Sequence, residues 1–169
     1  ATVGGHLGLN RSCADLIPAL LSSQAQLSLV DREVPLGDYL AAESELILSI
    51  LVPTSARAFG LCNITRTASD ISLIAAAASL SVEDGRLVGP ILAVGGVAKH
   101  VVRLHAVEKQ LDGNPLPAAE QVEELIAQAV QPIDDQRGSA EYKRHTAAVL
   151  GARALRTAVD HAGATEGDQ

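Results

Sequence analysis

The chain has 169 residues, 47% of them apolar and 2% aromatic, with no Met or Trp and a formal net charge of −7. That is enough apolar material for one domain, or one domain with an appendage, while the negative charge, dispersed Lys and Arg and scarcity of rings exclude a nucleic-acid partner and disfavour anionic membranes. With no run of about 18 apolar residues and no secretory leader pattern, no membrane span is expected and a cytoplasmic location is. Cys13 and Cys62 lie far apart and form no C-x-x-C, so they are expected to stay unpaired.

From the N-terminus, Thr2-Val3 is followed by Gly4-Gly5 and His6. Two adjacent residues without Cβ let backbone N–H groups approach an anionic or planar ligand, although the same pair also suits an ordinary tight turn. Ser12 is placed to cap a helix over 14–21, with Asp15 in its first turn and Pro18 tolerated only if that helix is short or kinked. Its N-terminus would point back at the glycines. Residues 26–30 alternate apolar and polar, Asp31-Arg32 turns and 33–36 returns, which predicts a small hairpin. One helical turn is expected over 37–42. The apolar run 45–52, ended by Pro53, has the length of a buried strand. Residues 53–56 predict a linker and a subdomain boundary.

Beyond the linker, 59–66 has strand character. The alanine-rich stretch 70–82 is ambiguous by propensity, and Asp84-Gly85 decides for a strand hairpin that returns through 86–97. A helix is predicted over 102–111. Next, 118–130 sets Val122, Leu125, Ile126, Ala129 and Val130 on one helical face, and Pro132 ends it. Ser139 caps a long last helix with a stripe of Ala147, Leu150, Ala154, Ala158 and Ala162, and 164–169 are expected to be a disordered tail. Strands precede helices, the order of an α+β fold.

Five segments carry a resemblance: Thr2 to His6, Asp15 to Leu20, Glu45 to Ile47 with Pro53, Gly95 to Ala98, and Pro132 to Arg144. In order and approximate spacing they are similar to the FAD-binding medium subunits of the xanthine dehydrogenase and carbon monoxide dehydrogenase family of molybdenum hydroxylases, over the C-terminal two thirds of such a subunit. The resemblance implies that residues 1–53 are the second part of a PCMH-type FAD-binding domain whose first part is missing. It implies that 57–163 form an antiparallel sheet plus three-helix domain of the CO dehydrogenase flavoprotein type. The absent Met and the start inside a glycine segment likewise point to a piece of a longer polypeptide.

By the same resemblance the chain is expected to be an electron-transfer flavoprotein with FAD as cofactor. Molybdopterin would sit in a large partner subunit and iron–sulfur clusters in a small one, with NAD or another electron acceptor. Carried over by position, Thr2 resembles a hydroxyl contact to FAD, Gly4 and Gly5 backbone donors near its phosphate and ribityl chain, and His6 the side chain beside them. Asp15 resembles the acidic group fixing the cofactor, and Ile47 the apolar residue packed on the ring. No catalytic residue is implied, and the fragment alone is expected to be inactive and colourless. The alternative is a docking module that contacts other subunits from about Phe59 onward without holding cofactor.

The sequence departs from that pattern at His6, where Asn or Asp is commoner, at Leu9, where some members offer a hydroxyl, and at Cys62, where several have a Lys near the flavin. Arg137 is expected to form a salt link to a neighbouring Asp. His100, His105 and Glu108 do not have the i, i+4 spacing of helix-borne metal ligands, and Gly5-x-x-Gly8 is only a fragment of a dinucleotide fingerprint. No metal site and no Rossmann site are expected.

Overall fold

A computed structural model describes residues 2–42, 45–54, 57–67 and 70–166. Its first part contains α1 (Val3–Leu9), α2 (Leu16–Ser22), β1 (Gln26–Ser28), β2 (Glu33–Pro35), α3 (Leu36–Ala41) and β3 (Ser49–Leu51). β1 pairs antiparallel with β2 on one side and β3 on the other. The second part contains β4 (Ala58–Ile64), β5 (Ile74–Glu83), β6 (Arg86–Gly95), β7 (Val102–Arg103), α4 (His105–Leu111), α5 (Ala119–Ala129) and α6 (Ala140–Glu166). Here β4 to β7 form one antiparallel sheet in chain order. The chain is thus α+β, with antiparallel sheets and the long helices last.

The β5–β6 hairpin turns at Asp84 (φ 49°) and Gly85 (φ 73°), the two left-handed residues a tight hairpin requires. Further along, the register slips between Ser79 and Ser81, opposite Gly89-Pro90, where proline offers no N–H to the ladder. Ala76, Ala78, Leu80, Leu92 and Val94 are buried in this sheet and pack with Val122, Ile126, Ala147, Ala154, Leu155 and Ala158 from the helices. The alanine stripe of α6 lets the helix come close to the sheet, and at Gly60 a Cβ would stand 2.0 Å from the carbonyl oxygen of Ala154. A smaller core joins Leu7, Ile17, Leu27, Leu36 and Tyr39 of the first part to Ala93 and Val101 of the second. α2 lies against β5 and β6 and so carries the N-terminal residues onto the sheet.

Several local expectations need correction. The helix expected over 14–21 begins only at Leu16, with Asp15 rather than Ser12 at its N-cap and Pro18 in its first turn. The run 45–52 is not a buried strand: only Ser49–Leu51 pair, on the outside of a three-stranded sheet, and Leu46, Leu48, Leu51 and Val52 are exposed. Residues 102–111 are not one helix, because Val102 and Arg103 pair with β6 before the chain turns at Leu104. The last helix runs on through Glu166, past the expected start of the tail, since nothing in Ala-Gly-Ala-Thr breaks its hydrogen bonding. Residues 167–169, and Ser55 and Ala56 of the expected linker, lie outside the described residues.

Candidate functional site

Thr2 is the N-cap of α1, with extended backbone (φ −112°, ψ 153°). Its Oγ1 accepts the N–H of Gly5 at 3.1 Å and its carbonyl accepts the N–H of His6 at 2.9 Å. Gly4-Gly5 is therefore the first turn of a helix, not the tight turn that the glycine pair also suits. The cap outweighs the low helix propensity of the pair, and Leu7, fully buried, pins the helix to the smaller core. At the other end Asn10 adopts left-handed backbone (φ 41°) and closes α1 onto the carbonyl of Leu7.

Both glycines remain exposed. A Cβ at Gly4 would meet nothing within 4 Å, and one at Gly5 would meet only Thr2 Oγ1, at 3.0 Å. By helix geometry the N–H groups of Val3 and Gly4 have no carbonyl one turn back within α1, and no acceptor for them occurs among the described residues.

His6 is half-buried, and its Nε2 accepts the N–H of Leu16, at the start of α2, at 3.4 Å. That contact sets His6 beside Asp15. With Nε2 accepting, the neutral ring carries its proton on Nδ1, for which no partner occurs among the described residues. Asp15 is exposed, and its Oδ1 accepts the N–H of Ser72 at 3.1 Å, while Oδ2 has no partner among the described residues. The hydroxyl hydrogen of Thr2 has no acceptor among the described residues. Thr2, Gly4, Gly5, His6 and Asp15 are thus brought together by α1 and the start of α2. Ile47 is half-buried and packs on the smaller core from the segment ahead of β3. Thr2, His6 and Asp15 each hold the protein with one polar function and leave another free, which fits a polar cofactor lying across α1.

Sequence reasoning missed the supports of this cluster. Ser72 is buried and gives its N–H to Asp15, accepts from Asn63 Nδ2 at its hydroxyl (2.8 Å) and accepts from Arg137 Nη1 at its carbonyl (3.2 Å). At Gly96 (φ 86°) a Cβ would fall 2.1 Å from the carbonyl oxygen of Leu73, while its N–H binds the carbonyl of Ser12 at 2.8 Å, which fastens the α1–α2 connection to the sheet. Residues 57 to 65 positions apart in sequence meet here, and only the Gly95-Gly96 and Pro132 to Arg144 segments hinted at it.

Arg137 does not form the expected salt link through its side chain; its backbone N–H donates to Asp135 Oδ1 at 2.7 Å. The ion pair to Asp135 comes instead from Lys143, a buried lysine whose Nζ lies 2.7 Å from Oδ1 and also donates to the carbonyl of Ile133. The Lys143 hydrogen bond first, then the backbone N–H of Arg137, holds the Asp135 carboxyl below its ordinary range. Cys62 lines a cavity between the sheet and the helices with Val122, Ala152 and Arg153, and none of the residues lining that cavity belongs to α1. Cys13 and Cys62 are both free thiols.

Glu108 is buried, and its carboxylate accepts from Arg103 Nε at 2.8 Å and the N–H of Leu92 at 2.9 Å, with His105 Nδ1 at 3.2 Å. His100 Nδ1 instead meets the carbonyl of Asn10 at 2.7 Å. Among the described residues no group of three or more His, Cys, Asp or Glu is arranged to hold a metal ion, and no helix is long and apolar enough to cross a membrane.

A four-stranded antiparallel sheet packed with three helices, with a small α+β module docked against its inner strands β5 and β6, defines an α+β class. Residues 61–158 match the CO dehydrogenase flavoprotein C-terminal domain, and the chain belongs to that family, the flavoprotein medium subunits of molybdenum hydroxylases. It is 34% identical over 153 residues to the uncharacterized protein YgfM of Escherichia coli K12, covering 89% of this chain and 55% of that protein. It is 32% identical over 111 residues to the nicotine 6-hydroxylase medium subunit of Paenarthrobacter nicotinovorans, covering 63% of this chain and 39% of the relative. The chain therefore spans roughly half or less of these relatives. In fold it is similar to a carbon monoxide dehydrogenase of Hydrogenophaga pseudoflava (TM-score 0.83, 21% identity, 95% of this chain and 61% of that one) and to quinoline 2-oxidoreductase of Pseudomonas putida 86 (TM-score 0.81, 22% identity, 96% and 62%).

Proposed function

We propose that this chain is part of the FAD-binding subunit of a molybdenum hydroxylase and an oxidoreductase component, with α1 and the start of α2 supplying one side of the flavin pocket. The observation that carries this is the exposed, Cβ-free backbone at Gly4, flanked by Thr2, His6 and Asp15, on a domain of the CO dehydrogenase flavoprotein family. Exposed N–H groups beside Gly4 would face a phosphate or ribityl oxygen, Thr2 and the Nδ1–H of His6 would donate to it, and Asp15 Oδ2 would accept from a cofactor hydroxyl. Ile47 would give apolar contact to the ring. Bound FAD would supply the redox chemistry between iron–sulfur clusters expected on a small subunit and NAD or another acceptor. The residues named here bind and orient it.

On this proposal residues 1–53 are the second part of an FAD-binding domain, the remainder coming from outside the sequence given, and 57–163 are its C-terminal companion. A large subunit would carry molybdopterin and select the organic substrate, and the assembly would work in the cytoplasm. The exposed run Leu46, Leu48, Leu51 and Val52 favours a second contribution, contact with another chain segment or subunit. Reconstitution separates this from a purely docking role: the polypeptide carrying this chain, stripped and returned to FAD, should quench flavin fluorescence at a saturable stoichiometry. A protein that assembles with its partner subunits yet takes up no flavin would leave only the docking role.

A further inference from the structure

We propose a second binding site, for a small organic oxyanion, where Arg57 and Arg103 face one cavity on the side of the sheet that carries β7 and α4. Arg57 is half-buried, and its guanidinium meets only neutral groups: Nε donates to Ser79 Oγ at 3.3 Å, and Nη2 donates to the carbonyls of Ser79 (3.2 Å) and Gly89. No carboxylate compensates it among the described residues. Arg103 uses Nε on the Glu108 carboxylate, leaving its two Nη groups without a described partner. Both arginines line the same cavity of about 380 Å³, together with Lys109. Glu108 is neutralised by Arg103, and Asp112, the remaining acid of the lining, has Oδ1 on the N–H of Gly89 at 2.8 Å. In a chain of net charge −7, this cavity is lined by three permanent cations against two carboxylates.

Like charges held together in a partly desolvated place cost free energy unless an anion joins them. Burial, and then the charge of Arg103, push the Arg57 guanidinium below its ordinary value, in keeping with a cation that meets only neutral acceptors. Planar guanidinium edges suit a phosphate or carboxylate, which accept forked hydrogen bonds. The body of the ligand is set by the neighbouring space. A second cavity of about 650 Å³ shares Gln24, Arg103 and His105 with the first, and Leu36, Leu40 and Val101 give it an apolar side, with Gln26 and Asp38 also in its lining. The pair of cavities fits a ligand with an apolar body and one oxyanionic end. The site shares no lining residue with the proposed flavin contacts and does not depend on them.

Equilibrium dialysis of the protein at low ionic strength tests this with phenyl phosphate, benzoate and inorganic phosphate. Saturable binding is expected, tighter for the ring-bearing probes than for inorganic phosphate, and weaker by about tenfold or more in Arg57→Gln. Phenyl phosphate ahead of benzoate identifies a phosphate ester, and the reverse a carboxylate. Should Arg57→Gln not fold, Lys109→Gln, at an exposed position, must weaken binding several-fold. No saturable binding of any probe, or binding unchanged in the folded variant, overturns the site.

Discussion

Thr2, His6 and Asp15 each use one polar function to hold the α1–α2 segment in place, and Gly4 offers only backbone, so substitutions should separate support from cofactor contact. Gly4→Ala adds a methyl that meets nothing and replaces a poor helix former, so thermal stability should hold or rise by up to about 1 kcal/mol. If the backbone there must approach the dinucleotide, flavin affinity should nevertheless fall by about tenfold or more, read by fluorescence titration of the complete protein. Equal flavin affinity would show that α1 does not touch the cofactor. At Asp135 the prediction concerns pH. Its folded-state pKa is depressed by Lys143, so the pair contributes fully above the ordinary carboxyl value of 3.8 and loses its contribution as pH falls through the lower folded value. Asp135 is 40% exposed, which limits the effect to about 1 kcal/mol or less. Denaturant midpoints measured downward from pH 5 should fall more steeply for the wild type than for Asp135→Asn.

Between elements, the closest approach is β4 against α6. Gly60→Ala would force the helix off the sheet at Ala154 and should cost about 1–3 kcal/mol in urea unfolding, whereas Gly4→Ala should not. A Gly60→Ala protein as stable as the parent would mean that α6 can shift without loss. How far such relations are legible in sequence depends on their range. The Asp84-Gly85 turn, the buried face of Val122 and Ile126, and the Ser139 cap, whose Oγ accepts the N–H of Tyr142 at 3.2 Å, are set by neighbours a few residues apart and are readable from the residues alone. Residues 45–52 mislead because apolarity alone cannot say whether a strand will be covered, and β3 has a partner only on its β1 side. Gly4-Gly5 conceals a helix because the cap at Thr2, not the glycines, decides the local conformation. The Asp15–Ser72–Arg137 chain is invisible in sequence because it joins three separate segments.

For the whole molecule, the smaller core reaches Ala93 and Val101 of the second part and so fixes the glycine helix to a family-typical domain, while the apolar run with Leu46 and Leu48 stays uncovered. Leu46 and Leu48 are 69% and 58% exposed, so the isolated chain should self-associate in size-exclusion chromatography, and Leu46→Lys with Leu48→Lys should shift it toward monomer. A wild-type chain that elutes as a monomer at high concentration would count against an interface there. The more direct measurement is the flavin content of the native complex that contains this chain, taken from its absorption spectrum and from FAD released on denaturation. One FAD per copy of the chain, lost when Gly5→Val is introduced while the subunits still assemble, is the predicted result. A native complex with its partner subunits in place and no flavin would contradict the assignment of α1 as a cofactor contact.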